Sequence, residues 1–154
     1  MIQLEKYNEV YLENSWRWLN DPETKPLTDT GDFTLQQQQN WFKNIDANPA
    51  YKIWGVSFGE VPIGVCGIKN INVIEKKAEY WGYIGEKQYW FKGLGTIVLG
   101  QVLQIAITEL NLKYIYLKVL KINIVAIHLY KKFNFIIIGN ENKNFIMQKT
   151  LLKT

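Results

Sequence analysis

The spacing of apolar residues predicts how the chain begins. Residues 2–5 alternate between apolar and polar side chains, which is typical of a half-buried strand. Over residues 10–19 the apolar positions recur at helical spacing, so a helix is predicted there. Asp21-Pro22 follows, a pair typical of a cap and a proline in the first position of a turn. We interpret residues 20–32 as a loop.

A capping box marks the start of the next predicted helix. Thr34 and Gln37 stand three positions apart, so each side chain can bond the backbone N–H of the other at a helix N-terminus. The helix is predicted over residues 35–45. It is expected to bury Trp41 and Phe42.

The middle of the chain has the pattern of an antiparallel sheet. Residues 51–58 and 61–69 are rich in strand-forming side chains. They are separated by Gly59-Glu60, which predicts a hairpin. Residues 78–85 form a third predicted strand after a polar turn.

The second half of the chain alternates between helical and extended patterns. A mostly buried helix is predicted from Gly95 to about residue 110, because its polar residues form a narrow stripe. The remaining predicted elements are a strand over 115–119, a helix over 124–133 and strands over 135–138 and 144–151. The last two strands are expected to join at a Gly139-Asn140 turn.

Length and composition indicate one folded domain spanning residues 1–154. The 154 residues are 47% hydrophobic and 21% charged, a globular composition in a chain too short for two ordinary domains. No apolar run reaches the roughly 20 residues that span a bilayer, and the first residues lack a signal pattern. We therefore expect a cytoplasmic protein with no membrane partner. Cys66, the single cysteine, is expected to be a small buried hydrophobe.

The charge of the chain favours anionic ligands. The net charge is +4, but the lysines are spread along the sequence, so a nucleic-acid partner is not supported. No metal site is predicted, because no second histidine or cysteine stands at ligand spacing. His128, the only histidine, lies about 160° around its helix from Tyr130 and is expected to face the surface.

The segment over residues 83–96 is predicted to bind a diphosphate. It passes from a strand through Gly93 and Gly95 into a helix, and a helix N-terminus presents free N–H groups and a positive dipole end. The two glycines let an anion approach the backbone, and Lys92 adds a positive charge. The spacing matches neither the nucleoside-triphosphate loop nor the dinucleotide fingerprint.

Two motifs resemble those of the GNAT acetyltransferase superfamily. Residues 90–95 are similar to its acetyl-CoA loop, Gln/Arg-x-x-Gly-x-Gly/Ala, with Trp90 as the first residue. This departure is usual in the branch resembling ribosomal-protein alanine acetyltransferases. Phe91 replaces the first glycine of the loop in that branch. Residues 123–135 are similar to Asn-x-x-Ala-x-x-Leu-Tyr-x-Lys-x-Gly-Phe, with Asn134 in place of glycine. Asparagine is the best substitute for glycine at a left-handed helix end.

The resemblance implies a fold and a cosubstrate. The fold class is α/β (α+β), with a mixed, mostly antiparallel, twisted sheet of six to seven strands and about four flanking helices. Its central parallel strands splay apart and hold acetyl-CoA. Backbone amides would bind the diphosphate, and a strand edge would pair with the pantetheine arm. The implied cofactor-binding residues are Tyr83, Ile84, Gly85, Phe91, Lys92, Gly93, Leu94, Gly95, Thr96 and Asn123.

The resemblance also implies catalytic roles. Tyr130 would protonate the departing thiolate of CoA, since a phenol with a reference pKa near ~10 stays protonated at neutral pH. The acceptor amine must lose a proton, directly or through water. Glu79 is the candidate base, although an exposed glutamate at a strand edge would fit the pattern as well. The alternative carboxylates are Asp21, Glu23 and Asp32 in the early loop.

The N-terminal region suggests an acceptor class. Residues 16–23 and 34–42 are similar to GNAT members that acetylate amino groups of nucleotide-linked (UDP or dTDP) deoxyamino sugars. Trp18, Asn20 and Trp81 are the candidate substrate contacts. Protein or peptide N-termini, polyamines, and a non-catalytic acyl-CoA-binding role remain alternatives. The protein is expected to be a monomer or a homodimer.

Overall fold

A computed structural model describes residues 1–28 and 31–152 of the chain. The predicted loop over 20–32 includes residues 29 and 30, which lie outside the described part. The strands are β1 (Ile2–Lys6), β2 (Lys52–Phe58), β3 (Val61–Asn72), β4 (Lys77–Ile84), β5 (Tyr114–Leu120), β6 (Ile136–Glu141) and β7 (Asn144–Thr150). The helices are α1 (Glu9–Leu19), α2 (Lys25–Thr28), α3 (Leu35–Asp46), α4 (Leu94–Thr108) and α5 (Ile124–Lys132), with a 3-10 turn at Lys87–Tyr89.

The described strands form one seven-stranded sheet in the order β1-β2-β3-β4-β5-β7-β6. Neighbouring strands are antiparallel except β4 and β5, which pair in parallel from Lys77 opposite Tyr114 to Glu79 opposite Tyr116. Beyond Glu79, β4 keeps its pairing with β3 but has none with β5. The two central strands therefore separate, as the predicted mixed sheet with splayed central strands requires.

Helices cover both faces of the sheet. On one face, apolar residues of α4 and α5 pack against the sheet in the larger core cluster, which includes Leu99, Ile115 and Met147. On the other face, α1 and α3 pack against Val65, Trp81 and neighbouring side chains in a smaller cluster rich in aromatic rings. Side chains of successive strand residues point to opposite faces, so one strand serves both layers.

The hydrogen bonds predicted at the start of α3 are present in the structure. The Thr34 hydroxyl accepts from the Gln37 backbone N–H at 3.1 Å, and the Gln37 side chain accepts from the Thr34 N–H at 2.8 Å. This confirms the capping box of α3.

Trp41 and Phe42 pack against the aromatic cluster but are only partly buried. Cys66 is fully buried, and this burial raises the pKa of its thiol.

One turn and one helix differ from the predictions. Strand β6 continues through Gly139-Asn140, and the chain turns at Asn142-Lys143 instead. The prediction of a turn at Gly139 was wrong, because this glycine lies where the β6–β7 register shifts, and glycine within a strand often marks such a bulge. Within the predicted loop, the short helix α2 forms.

No described helix has the length and hydropathy to cross a membrane.

Candidate active site

A cleft of about 1190 Å³ opens where β4 and β5 separate. Residues of both strands that lie beyond the β4–β5 pairing line it, including Tyr80, Gly82 and Val119. Helices from both faces of the sheet add the remaining walls. The cleft is therefore continuous from the N-terminus of α4 to the aromatic side chains beneath α1 and α3.

The predicted diphosphate loop forms one end of this cleft. Gly93 precedes α4 in the left-handed conformation, with φ of +75°, and no neighbouring atom lies within 4 Å of the position a Cβ would take. The free N–H groups at the start of this 15-residue helix open onto the cleft. The predicted cofactor residues that line the cleft are Tyr83, Ile84, Phe91, Gly93, Leu94, Gly95, Thr96 and Asn123, whereas Gly85 and Lys92 do not line it.

Gly85 anchors the loop to α1 instead of lining the cleft. A Cβ on Gly85 would lie 2.2 Å from the Trp18 ring, so only glycine fits against this indole. The Trp18 Nε1 donates to Glu86 Oε1 at 2.8 Å, and Arg17 Nη2 donates to the same oxygen at 2.5 Å. The contacts join the end of α1 to the chain just after β4. They fix the direction in which the loop leaves the sheet.

The structure places one of the three candidate substrate contacts on the cleft and the other two away from it. Trp81 lines the cleft, where its ring stacks with Tyr83 at 6.4 Å and meets Tyr51 edge-on. Trp18 is only 2% exposed and packs on Gly85, so its indole does not reach the cleft. Asn20 ends α1 and donates its side-chain amide to the Trp16 carbonyl at 2.7 Å, also away from the cleft.

Tyr130 lies on α5 and faces the cleft between the separated strands. Its ring is 6.4 Å from the ring of Tyr80 and 5.7 Å from that of Phe135. One side is open to the cleft and the others are enclosed by protein, and this burial raises the pKa of its hydroxyl to about 12. The phenol is therefore protonated throughout the neutral range.

The second predicted motif shapes the helix that carries Tyr130. The Asn123 side chain caps α5 by accepting from the Ala126 N–H at 3.2 Å. Asn134 follows the helix with φ of +67°. It thus takes the left-handed conformation that the sequence predicted for the family's glycine.

The candidate bases all lie outside the cleft lining. Glu79 is 6% exposed, not at an open edge, and its Oε1 accepts from Asn70 Nδ2 at 3.2 Å. Asp21 and Glu23 both pair with the Lys87 ammonium, at 3.0 and 3.2 Å. Asp32 pairs with Lys25. The hydrogen bond from the paired lysine lowers the pKa of Asp21 and of Asp32, which weakens both as bases.

The charged side chains that line the cleft, among the described residues, are basic. These side chains are Lys69, Lys118 and Lys132, and no described carboxylate lies on the lining itself. Glu79 and Glu141, which lie outside the lining, pair with Lys69 and Lys118. His128 is exposed, as predicted, and also borders the cleft. No described group of acidic, histidine or cysteine side chains could hold a metal ion. The wall therefore favours anionic ligands.

A substitution at Phe91 tests whether the left-handed backbone conformation of this residue destabilises the protein. Phe91 has φ of +60° and is 84% exposed, so its side chain contributes little packing. Phe91→Gly is expected to raise the free energy of unfolding by about 0.5–1 kcal/mol, because relief of the left-handed conformation exceeds the added entropy of the unfolded chain. Urea unfolding measures this change. Lys92→Gly, at a neighbour without positive φ, should destabilise instead; stabilisation by both variants would contradict the explanation.

Comparisons with known proteins agree with this geometry. The model of the acetyltransferase (GNAT) family matches residues 12–135. Acetyltransferase PseH of Campylobacter jejuni is 26% identical over 148 residues, which cover 94% of this chain and 90% of that protein.

Solved structures share the fold at low sequence identity. A spermidine N-acetyltransferase of Vibrio cholerae, in complex with CoA and spermine, has a TM-score of 0.87 at 20% identity, with 97% of this chain and 95% of that chain covered. A domain from Methanocaldococcus jannaschii has a TM-score of 0.85 at 16% identity, with 98% and 99% covered. These similarities establish the architecture around the cleft.

Proposed function

The chain belongs to the GNAT acetyltransferase family, and from that premise we propose that it acetylates the primary amine of a nucleotide-linked deoxyamino sugar. It is an acetyl-CoA-dependent N-acetyltransferase with acetyl-CoA as its cosubstrate. The sugar nucleotide, with UDP or dTDP as its nucleotide, is the proposed acceptor. The amine attacks the acetyl group directly.

The charge of the cleft is the observation that carries this proposal. Its described lining contains three lysines and no aspartate or glutamate. An acceptor with a diphosphate can accept hydrogen bonds from these ammonium groups, whereas a polyamine would find no carboxylate on the described lining to pair with. The aromatic rings of Trp81 and Tyr51 offer flat surfaces on which a sugar or base can pack.

Two polar side chains on the cleft wall support a hydroxylated acceptor. Thr24 is 2% exposed and Gln38 is 5% exposed. Neither the Thr24 hydroxyl nor the Gln38 carbonyl oxygen has a hydrogen-bond partner among the described residues. An unsatisfied buried polar group costs roughly 1–3 kcal/mol. A bound sugar could supply these partners after small side-chain rotations.

The residues at the other end fit acetyl-CoA. The left-handed Gly93 and the open N-terminus of α4 suit a diphosphate, and the unpaired edge of β4 can accept an extended arm. The cosubstrate supplies an acetyl group as a thioester. Gly93 leaves space for the anion, and the Trp90 indole, which donates to the Ile84 carbonyl at 2.7 Å, holds the loop against the strand.

The chemical step needs one proton removed and one delivered. The amine nitrogen bonds to the carbonyl carbon, the carbon–sulfur bond breaks, nitrogen loses a proton and sulfur gains one. The Tyr130 hydroxyl is the proposed donor to sulfur. Because no described carboxylate lines the cleft, we infer that water accepts the proton of the amine, and Glu79 is not needed as the base.

An acceptor panel tests the proposed function. The purified protein is assayed for CoA release with UDP- and dTDP-linked amino sugars, spermidine and a peptide with a free N-terminus. We expect kcat/KM for a sugar nucleotide to exceed that for spermidine by at least about 100-fold, the size of effect that an unpaired charge produces. The corresponding N-acetylated sugar nucleotide, which lacks a free amine, is the control. Turnover of spermidine or peptide alone would refute the sugar proposal, and acetyl-CoA binding without turnover would indicate a binding module.

A further inference from the structure

A partly buried ion pair lies beside the cleft, at the end of β4 away from the diphosphate loop. Glu79 is 6% exposed, and its Oε2 is 3.8 Å from the Nζ of Lys69. The β3–β4 register is irregular between Lys69 and Asn72, and Asn70 has a left-handed φ of +55°. Consecutive strand residues normally point to opposite faces. The irregular backbone lets both Lys69 and Asn70 contact the same carboxylate.

The Lys69 ammonium keeps its hydrogen-bond donors available. A separation of 3.8 Å is an ionic contact but exceeds the roughly 2.7–3.2 Å of an N–H···O hydrogen bond. Within the described part of the chain, Glu79 is the one carboxylate that pairs with Lys69. The lysine side chain lines the cleft and is 36% exposed. Glu79 thus balances the charge of Lys69 while leaving its N–H groups for a ligand.

The position of Lys69 assigns it to the acceptor and not to CoA. It pairs with Glu79 across the β3–β4 ladder, whereas Gly64 pairs with Ile84 near the diphosphate loop. Five residues of strand separate the two positions, a distance of about 17 Å. The ladder partner of Lys69, Glu79, stands two residues before Trp81 on β4 and therefore points to the same face of the sheet, where Trp81 meets the ring of Tyr51.

We propose that Lys69 binds a phosphate group of the acceptor and that Glu79 positions its ammonium. This inference rests on the proposed function, since it names the residue that recognises the nucleotide-linked part of the substrate. An ammonium forms charge-assisted hydrogen bonds with phosphate oxygens. A buried carboxylate restricts where the lysine nitrogen can lie, since separating the pair would leave the carboxylate charge unpaired. Lys69 is therefore a specificity residue, and Glu79 is a positioning residue.

Two acceptors, one with and one without the nucleoside diphosphate, test the assignment. The acetylation of a nucleotide-linked amino sugar is compared with that of the same amino sugar lacking the nucleotide and phosphates. In Lys69→Met the preference for the nucleotide-linked form, measured as a ratio of kcat/KM values, should fall by roughly 10- to 100-fold. The loss should lie in KM for that acceptor, with kcat and the Kd of acetyl-CoA within roughly threefold.

Further variants separate recognition from structural damage. Lys69→Arg should keep the preference within roughly threefold, because it keeps a cation that binds phosphate. Glu79→Gln should raise KM for the nucleotide-linked acceptor by roughly three- to tenfold. Lys52→Met is the matched control, because Lys52 is an exposed lysine opposite Ile68 on the neighbouring strand and does not line the cleft. It should leave the preference unchanged.

The outcomes distinguish the two proposals. If the wild type prefers the nucleotide-linked acceptor and Lys69→Met keeps that preference, the assignment of Lys69 is refuted and the proposed function stands. Equal losses with both acceptors would show a structural role and refute the assignment as well. If the wild type shows no preference or acetylates neither sugar, the proposed function itself fails. Should Lys69→Met not fold, the ratio in Glu79→Gln decides, and an unchanged ratio there overturns the proposal.

Discussion

Replacing Tyr130 with phenylalanine is expected to lower kcat by roughly 10²- to 10⁴-fold, the usual contribution of a positioned general acid or base. The variant loses the hydroxyl that faces the cleft and keeps the ring that packs near Tyr80 and Phe135. Its Kd for acetyl-CoA, measured by calorimetry, should therefore stay within roughly threefold of the wild-type value. Tyr114→Phe, at an exposed position on β5 outside the cleft lining, should have wild-type kcat.

The pH dependence of the wild type is a second readout of the same role. Tyr130 acts in its protonated form, and with a pKa of about 12 it stays mostly protonated up to about pH 11. The rate should rise with pH as the acceptor amine loses its proton, with no descending limb below about pH 11. A descending limb near pH 9, or a Tyr130→Phe variant with wild-type kcat, would assign the acid to another group.

Replacing Gly85 with alanine is expected to lower the free energy of unfolding by about 3 kcal/mol. The added Cβ would lie 2.2 Å from the ring of Trp18, which is 2% exposed and held to Glu86 by a hydrogen bond. The indole has no space to retreat, so α1 or the loop after β4 must shift. For a domain of this size the midpoint of thermal unfolding should fall by roughly 6–12 °C. The affinity for acetyl-CoA should fall as well, because the same contact directs the diphosphate loop.

Gly100 provides the matched control for this steric explanation. It lies within α4, and no neighbouring atom is within 4 Å of a Cβ built there. Gly100→Ala should raise the free energy of unfolding by about 0.5–1 kcal/mol, the ordinary preference of a helix for alanine. If Gly85→Ala were equally stable, the close contact with Trp18 would not be the reason for glycine at that position.

The predictions that succeeded depend on neighbours in sequence. Apolar spacing identified the main strands and helices, and the pairing of Thr34 with Gln37 identified the start of α3. Asn134 stands where the family motif has glycine, and this substitution predicted a left-handed residue at the end of α5. Phe91 also replaces a motif glycine and is likewise left-handed. Each of these features is determined by residues that lie within one or two helical turns of each other in the sequence.

The predictions that failed depend on contacts between distant segments. The burial of Glu79 follows from its register with Lys69 and from the irregular backbone at Asn70, and neither has a local sequence signal. Trp18 points inward because Gly85 has no side chain to exclude its ring. The two residues stand 67 positions apart, so the sequence pattern around either one does not predict their contact. Lys69 has no local sequence signal either, because one lysine among many belongs to no motif.

The separation of β4 from β5 has a consequence for how such an enzyme can change during evolution. Past Glu79, the edge of β4 that faces β5 has no ladder partner, and main-chain groups there are the same whatever the residue. A cosubstrate recognised by this edge places little demand on side-chain identity. Trp81 and other side chains on the face covered by α1 and α3 can then change to suit a new acceptor without altering the main-chain groups that this edge presents to the cosubstrate.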